Sequence, residues 1–150
     1  MKSDGTTSNS QLENILKDVK GFKGVFPRDI KPPKLSKGDS VIFNLDSSKG
    51  PGTHWVCLYI SNDSEYFDPF GLPPPEEVIK VMVGRKLYQS NQLQPLKSNM
   101  CGYYCCYYIL ERSKGIEPID IIYKLDQDGH ENNDSIIGGY QPLNQGVPPP

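Results

Sequence analysis

The pattern of apolar and polar positions divides the chain into a polar start, a patterned middle and a polar end. Residues Met1 to Ser10 are small and polar without periodicity and read as a mobile tail. Leu12, Ile15, Leu16 and Val19 then recur every three to four positions, which predicts a short helix capped by Asn9 or Ser10 and ended by Gly21. Phe22 to Gly38 holds Gly24, Pro27, Pro32 and Pro33, which interrupt regular hydrogen bonding. This stretch is expected to run extended and irregular over the domain, anchored by Phe22, Val25 and Phe26. Ser40 to Leu45 (SVIFNL) predicts a strand. After the turn signal SSKGPGT, His54 to Ile60 (HWVCLYI) is almost wholly apolar and rich in aromatic and branched residues, as in a strand buried on both faces. Asn62-Asp63 turns the chain into an antiparallel partner strand, Glu65 to Asp68.

The segment PFGLPPP cannot pair in a sheet and predicts a rigid loop, followed by a helix that Glu76 and Glu77 open at its positive end and Gly84 closes. Lys86 to Ser90 reads as a strand, and Gln92 to Met100 as a loop. Cys101 to Arg112 (CGYYCCYYILER) is apolar on most sides until its last turn, so this helix is expected to be buried against the sheet and to end near Gly115. Pro118 suits the first turn of a last helix through Ile119, Ile121, Ile122 and Leu125. From Asp126 onward the chain is polar, carries four acids and no Lys or Arg, and ends in PPP; it reads as a flexible tail. The expected organisation is one α+β domain over residues 11–125 with tails at 1–10 and 126–150, built on a small, mostly antiparallel sheet.

With 150 residues, 36% of them hydrophobic, and a net charge of -2, the chain fits one domain with a modest core. No run approaches the ~18 apolar residues of a membrane span, and the start lacks the apolar core of a signal peptide, so neither membrane insertion nor secretion is expected. The charge balance argues against nucleic acid as a general partner, although Lys31, Lys34 and Lys37 can form a local basic patch. Four cysteines, two of them adjacent, suit a disulfide scaffold poorly. Two histidines and no Cys-x-x-Cys pair give no regular metal-ligand set, so reduced thiols and no metal or cofactor are expected.

Among the residues able to carry chemistry, Cys101 stands at the predicted amino end of a buried helix, where free N–H groups and the helix dipole favour a thiolate. Gly102 leaves room beside it for a substrate backbone. His54, at the start of the buried strand, has an ordinary pKa suited to a general base. If the hairpin turns at Asn62-Asp63, Asp68 lies at the same open end as His54, within hydrogen-bonding reach. Gln94, in the loop before Cys101, can donate to a developing oxyanion, with Gln89 and Gln92 as competitors in the same stretch. Taken singly, each residue has an ordinary structural use: a buried core cysteine, a loop-end histidine, a turn aspartate before Pro69, an exposed glutamine.

Together, Gly-Thr-His54-Trp55, then Tyr66-Phe67-Asp68-Pro69-Phe70-Gly71, then Gln94, then Asn99-Met100-Cys101-Gly102-Tyr103-Tyr104, resemble the adenovirus-type (adenain-like) cysteine proteases. These are relatives of the SUMO-specific and other ubiquitin-like-protein proteases, and the resemblance looks nearest to maturation proteases of virophages and polinton-type elements. It spans about Gly24 to Arg112 and keeps the family's order of His, acid, Gln and Cys. Gln94 stands seven residues before Cys101, as in the adenovirus branch; Pro95 occupies the position that the SUMO branch gives its glutamine, and Met100 stands where that branch has aspartate. The resemblance implies a papain-like fold with Cys101 as nucleophile, His54 as base and then acid, Asp68 as its orienter and Gln94 as oxyanion donor. Trp55 would wall the His54 side and lend its N–H to the oxyanion.

The resemblance further implies a viral or mobile-element endopeptidase that cuts capsid or structural precursors after glycine in aliphatic-x-Gly-Gly sites. It would act in the virion or in the cytoplasm or nucleus of the infected cell, with an activating peptide as one partner to test and a monomer as the simplest state. Ile136-Ile137-Gly138-Gly139-Tyr140 matches such a site, so Gly139–Tyr140 is a candidate self-cleavage bond, set against the plainer reading of a flexible Gly-Gly linker. Two other functions compete: an isopeptidase that removes ubiquitin or a ubiquitin-like modifier, and a non-catalytic domain whose PFGLPPP and terminal PPP bind proline-reading modules.

Overall fold

The computed structural model describes residues 8–45, 54–95, 98, 100–126 and 133–140. Residues 1–7, the whole SSKGPGT turn, Asn99 and the residues after Tyr140 lie outside these. The element order is α1 (Asn9–Leu16), β1 (Phe22–Pro27), β2 (Ser40–Asn44), β3 (Trp55–Ile60), β4 (Ser64–Phe67), α2 (Glu76–Ile79), β5 (Lys86–Tyr88), α3 (Cys101–Ser113), α4 (Pro118–Asp126) and α5 (Asn133–Tyr140).

The five strands form one sheet in the order β1-β2-β3-β4-β5. The central pairs β2–β3 and β3–β4 are antiparallel, as expected, whereas both outer pairs, β1–β2 and β4–β5, are parallel. The difference is one of connection. A tight turn joins the antiparallel β3 and β4, while the chain reaches the start of β2 and of β5 only after crossing back. Phe22 to Pro27, expected to be irregular, is strand β1, with Val25 opposite Ile42 and Pro27 opposite Asn44. Pro27 is accommodated because β1 is an edge strand and needs to donate to one side only.

β3 carries the core. Trp55 and Cys57 belong to one buried cluster with Leu12, Leu16, Ile42, Phe67 and most of α3, while Val56, Leu58 and Ile60 join Val41, Phe43, Tyr66 and Val78 in a second. Alternation along a strand sends neighbours to opposite faces, so a wholly apolar β3 is what a sheet covered on both sides requires. α3 packs against β3, with Tyr103 through Ile109 all buried. Its last turn closes on a buried ion pair: Arg112 donates from Nε to Glu65 Oε1 and from Nη2 to Oε2, both at 2.9 Å, while Tyr108 donates to Glu65 Oε1 at 2.8 Å. The Arg112 guanidinium also lies over the Tyr59 ring at 4.7 Å.

Three boundaries depart from expectation. The cap of α1 is Ser8, not Asn9 or Ser10: Ser8 Oγ accepts the Gln11 N–H and the Gln11 side chain accepts the Ser8 N–H, a reciprocal capping box. α2 lasts only to Ile79 before the chain turns toward Gly84. The segment read as a flexible tail contains α5, whose Ile137 is buried in the α3-side cluster and whose Asn133 donates to the carbonyls of Leu93 and Leu125. Burial of a few apolar groups and a buried amide hold a helix that its acidic, Gly-Gly-containing sequence does not announce.

Candidate active site

The β3–β4 register, with Cys57 opposite Phe67 and Leu58 opposite Tyr66, brings the residues that precede β3 and follow β4 to one end of the sheet. There His54 Nε2 lies 3.2 Å from Asp68 Oδ1. The Asp68 carboxylate is wholly buried, and its Oδ1 also accepts the Phe70 N–H at 2.8 Å, an Asx turn that locks it over Pro69. Its main-chain oxygen accepts from Gln89 Nε2. The Phe70 ring stacks on the imidazole with centroids 5.2 Å apart. Gly71 then turns the chain at φ +79, where a Cβ would stand 2.6 Å from the Asn91 oxygen, so the loop passes too close to its neighbour for any side chain.

Cys101 is the first residue of α3, with Met100 as its N-cap. Its sulfur accepts the Trp55 N–H at 3.4 Å and hydrogen-bonds the His54 imidazole. Since Nε2 faces Asp68, Nδ1 is the nitrogen left for the thiol. Burial by itself would depress the His54 pKa, but the hydrogen bonds to Asp68 and then to Cys101, with the negative charge of both groups, outweigh it and raise the pKa to about 9. Sulfur, imidazole and carboxylate therefore form one continuous chain that favours the imidazolium form of His54.

Of the other residues singled out in the sequence, Gly102 lies buried in the first turn of α3. The Trp55 backbone faces Cys101, whereas its indole is buried in the α3-side cluster and donates to Asn9 Oδ1 at 3.1 Å; the ring on His54 is that of Phe70. Gln94 is wholly buried, and its Nε2 donates to Ser98 Oγ at 2.9 Å and to the Ser98 carbonyl at 3.2 Å. Gly139 and Tyr140 fall in the last turn of α5, so that bond lies in helical backbone rather than in an extended segment. Ser98 escapes a reading of the sequence, as do the parts of Phe70 on the imidazole and of Gln89 on the Asp68 carbonyl, which no local pattern reports.

Cys57, Cys105 and Cys106 are buried free thiols; Cys57 and Cys105 donate to main-chain carbonyls, and burial pushes the Cys105 and Cys106 thiols up. Cys105 and Cys106 remain protonated and unreactive by contrast with a thiol paired to an imidazole. Among the described residues no cluster of His, Cys, Asp or Glu could hold a metal ion, and no helix is long and apolar enough to cross a membrane.

No family model and no curated protein matches the chain. Among solved structures, it is similar to the crystal structure of the ASFV pS273R protease, with a TM-score of 0.60 and 15% identity over 90% of this chain and 66% of that one. The selenomethionyl form of the same protease matches with a TM-score of 0.56 and 17% identity over 83% of this chain and 63% of that one. The chain thus has the α+β fold seen in that protease, and spans just under two thirds of its length.

Proposed function

We propose that this chain is a cysteine protease in which Cys101 is the nucleophile, His54 the general base and then acid, Asp68 the group that orients His54, and Gln94 an oxyanion donor. The observation that carries the reading is the His54 imidazole held between the buried Asp68 carboxylate and a thiol at a helix amino terminus. A core histidine has no need of that triple arrangement, whereas thiol catalysis does.

In this reading His54 holds the Cys101 proton, and the thiolate, favoured by the free N–H groups of α3, attacks a peptide carbonyl. The developing oxyanion is met by main-chain N–H groups near Cys101 and by Gln94 Nε2. Imidazolium His54 then protonates the leaving amine, and as a neutral base it activates the water that releases the acyl-enzyme. Gly102 leaves the approach open, and Phe70 covers the imidazole face.

The order of motifs and the fold shared with the ASFV protease support a viral or mobile-element enzyme acting on protein precursors in the particle or the infected cell. Cleavage after glycine in aliphatic-x-Gly-Gly sites rests on the motif resemblance. Hydrolysis of a fluorogenic Leu-x-Gly-Gly peptide by wild type beside Cys101→Ala, with reductant present, tests the reading. Cleavage by wild type alone supports it; cleavage by both forms contradicts it. A ubiquitin-like modifier carrying a C-terminal vinyl sulfone distinguishes the isopeptidase, which would be labelled at Cys101. A binding module would show neither activity.

A further inference from the structure

Ser98 is a hydrogen-bond junction with every position filled. Its Oγ accepts from Gln94 Nε2 at 2.9 Å and from the Met100 N–H at 3.2 Å, and donates to Asp134 Oδ1 at 3.0 Å. A hydroxyl has one proton and two lone pairs, and here two N–H donors occupy the lone pairs. The proton must go to Asp134, which as a carboxylate can only accept. The same Oδ1 takes the Tyr104 hydroxyl at 2.7 Å, and burial and Asp134 together hold that phenol in its protonated form.

Asp134 sets the sense of the Ser98 hydroxyl, whose one proton goes to it. Gln94 turns its NH2 to both Ser98 oxygens, the carbonyl and the hydroxyl that Asp134 keeps as an acceptor, while its own buried Oε1 is left without a partner among the described residues. Both Nε2 hydrogens are engaged by Ser98, and meeting an oxyanion requires the one on the longer bond, to the Ser98 carbonyl, to exchange partners. α5 also grips the loop from behind: Asn133 donates to the carbonyl of Leu93, the residue before Gln94.

We infer that Asp134 is a positioning residue for the oxyanion donor: by keeping the Ser98 hydroxyl as an acceptor it holds the Gln94 amide in place, which makes the first turn of α5 part of the catalytic apparatus. This rests on the protease reading of Cys101 and Gln94. The test compares full-length wild type, Asp134→Ala, Asp134→Asn, Gln94→Ala and the Asp134→Ala/Gln94→Ala pair. Three readouts are followed: kcat and KM for the peptide, the rate at which iodoacetamide alkylates Cys101, and the Gln94 side-chain NH2 signals in a nitrogen-15 NMR spectrum. Asp134→Ala should lower kcat at least about tenfold with KM and alkylation unchanged, and its effect should vanish in the Gln94→Ala background. Asp134→Asn, which keeps an acceptor oxygen, should restore most of the rate. Equal losses in both backgrounds would overturn the inference. So would Gln94 NH2 signals that stay in place in Asp134→Ala, and that readout decides even if wild type cleaves no peptide, the outcome that would instead count against the protease reading.

Discussion

Asp68 Oδ1 stands 3.2 Å from His54 Nε2 and 2.8 Å from the Phe70 amide nitrogen, so one buried carboxylate oxygen orients the imidazole while the backbone of the next turn orients the carboxylate. The arrangement is stiff on both sides, because Phe70 also lies on the imidazole ring. In this geometry the tautomer of His54 is set from Asp68, and the nitrogen facing Cys101 is left free to exchange its proton.

Removing that orientation should be visible in His54 itself. In Asp68→Ala the His54 pKa, read by NMR titration, should fall from about 9 toward the ordinary 6.5, and kcat should fall on the order of a hundredfold or more. A His54 titration unchanged by Asp68→Ala would show that the carboxylate does not act through the imidazole.

The raised pKa also predicts two alkaline effects. Hydrolysis should decline as pH rises through about 9, where His54 loses the proton it must give to the leaving amine. Stability follows the same group: a pKa higher in the folded state than in the unfolded chain stabilises fully below about 6.5, and the contribution is lost as pH rises to about 9. Urea unfolding at about pH 6 and about pH 10 should show this loss in wild type and not in His54→Ala. The same pH dependence in both proteins would contradict it.

The Glu65–Arg112 pair is a folding element separate from the site. Both side chains are about nine-tenths or more buried, at 8% and 9% exposure, so Glu65→Leu should leave an uncompensated guanidinium and cost about 3–5 kcal/mol. Glu65→Leu/Arg112→Met should recover most of that loss in chemical denaturation. A double variant no more stable than the single one would show that the charges, rather than their pairing, are needed.

Self-cleavage at Gly139–Tyr140 requires the last turn of α5 to unwind, yet it would leave Asn133, Asp134 and Ile137 in place. Mass spectrometry of purified wild type should then show a species ending at Gly139 that is missing from Cys101→Ala. A single full-length species in both would remove the bond from consideration. Truncation before Asn133, by contrast, should lower kcat, because it removes the partner of Ser98.

Much of this was legible in the chain. The apolar β3, the Asn62-Asp63 turn and the buried α3 follow from local pattern, and from the turn the juxtaposition of His54 and Asp68 follows by counting. What escaped depends on distant partners. β1 is a strand only because β2 accepts it at a parallel edge, and nothing within Phe22 to Pro27 reports that pairing. α5 is held by Asn133, Asp134 and Ile137, three side chains whose partners lie on other elements. Gln94 was separable from Gln89 and Gln92 by resemblance alone. In the structure Gln89 holds the Asp68 carbonyl, Gln92 donates to the Gln94 carbonyl, and Gln94 faces Ser98.

The rate of Cys101 alkylation by iodoacetamide as a function of pH tests most directly whether the imidazole activates this thiol. With His54 supplying the positive charge, wild type should be alkylated readily at about pH 6, and His54→Ala only as pH approaches the ordinary thiol range near 8.5. Wild type and His54→Ala profiles that coincide in that ordinary range would contradict it.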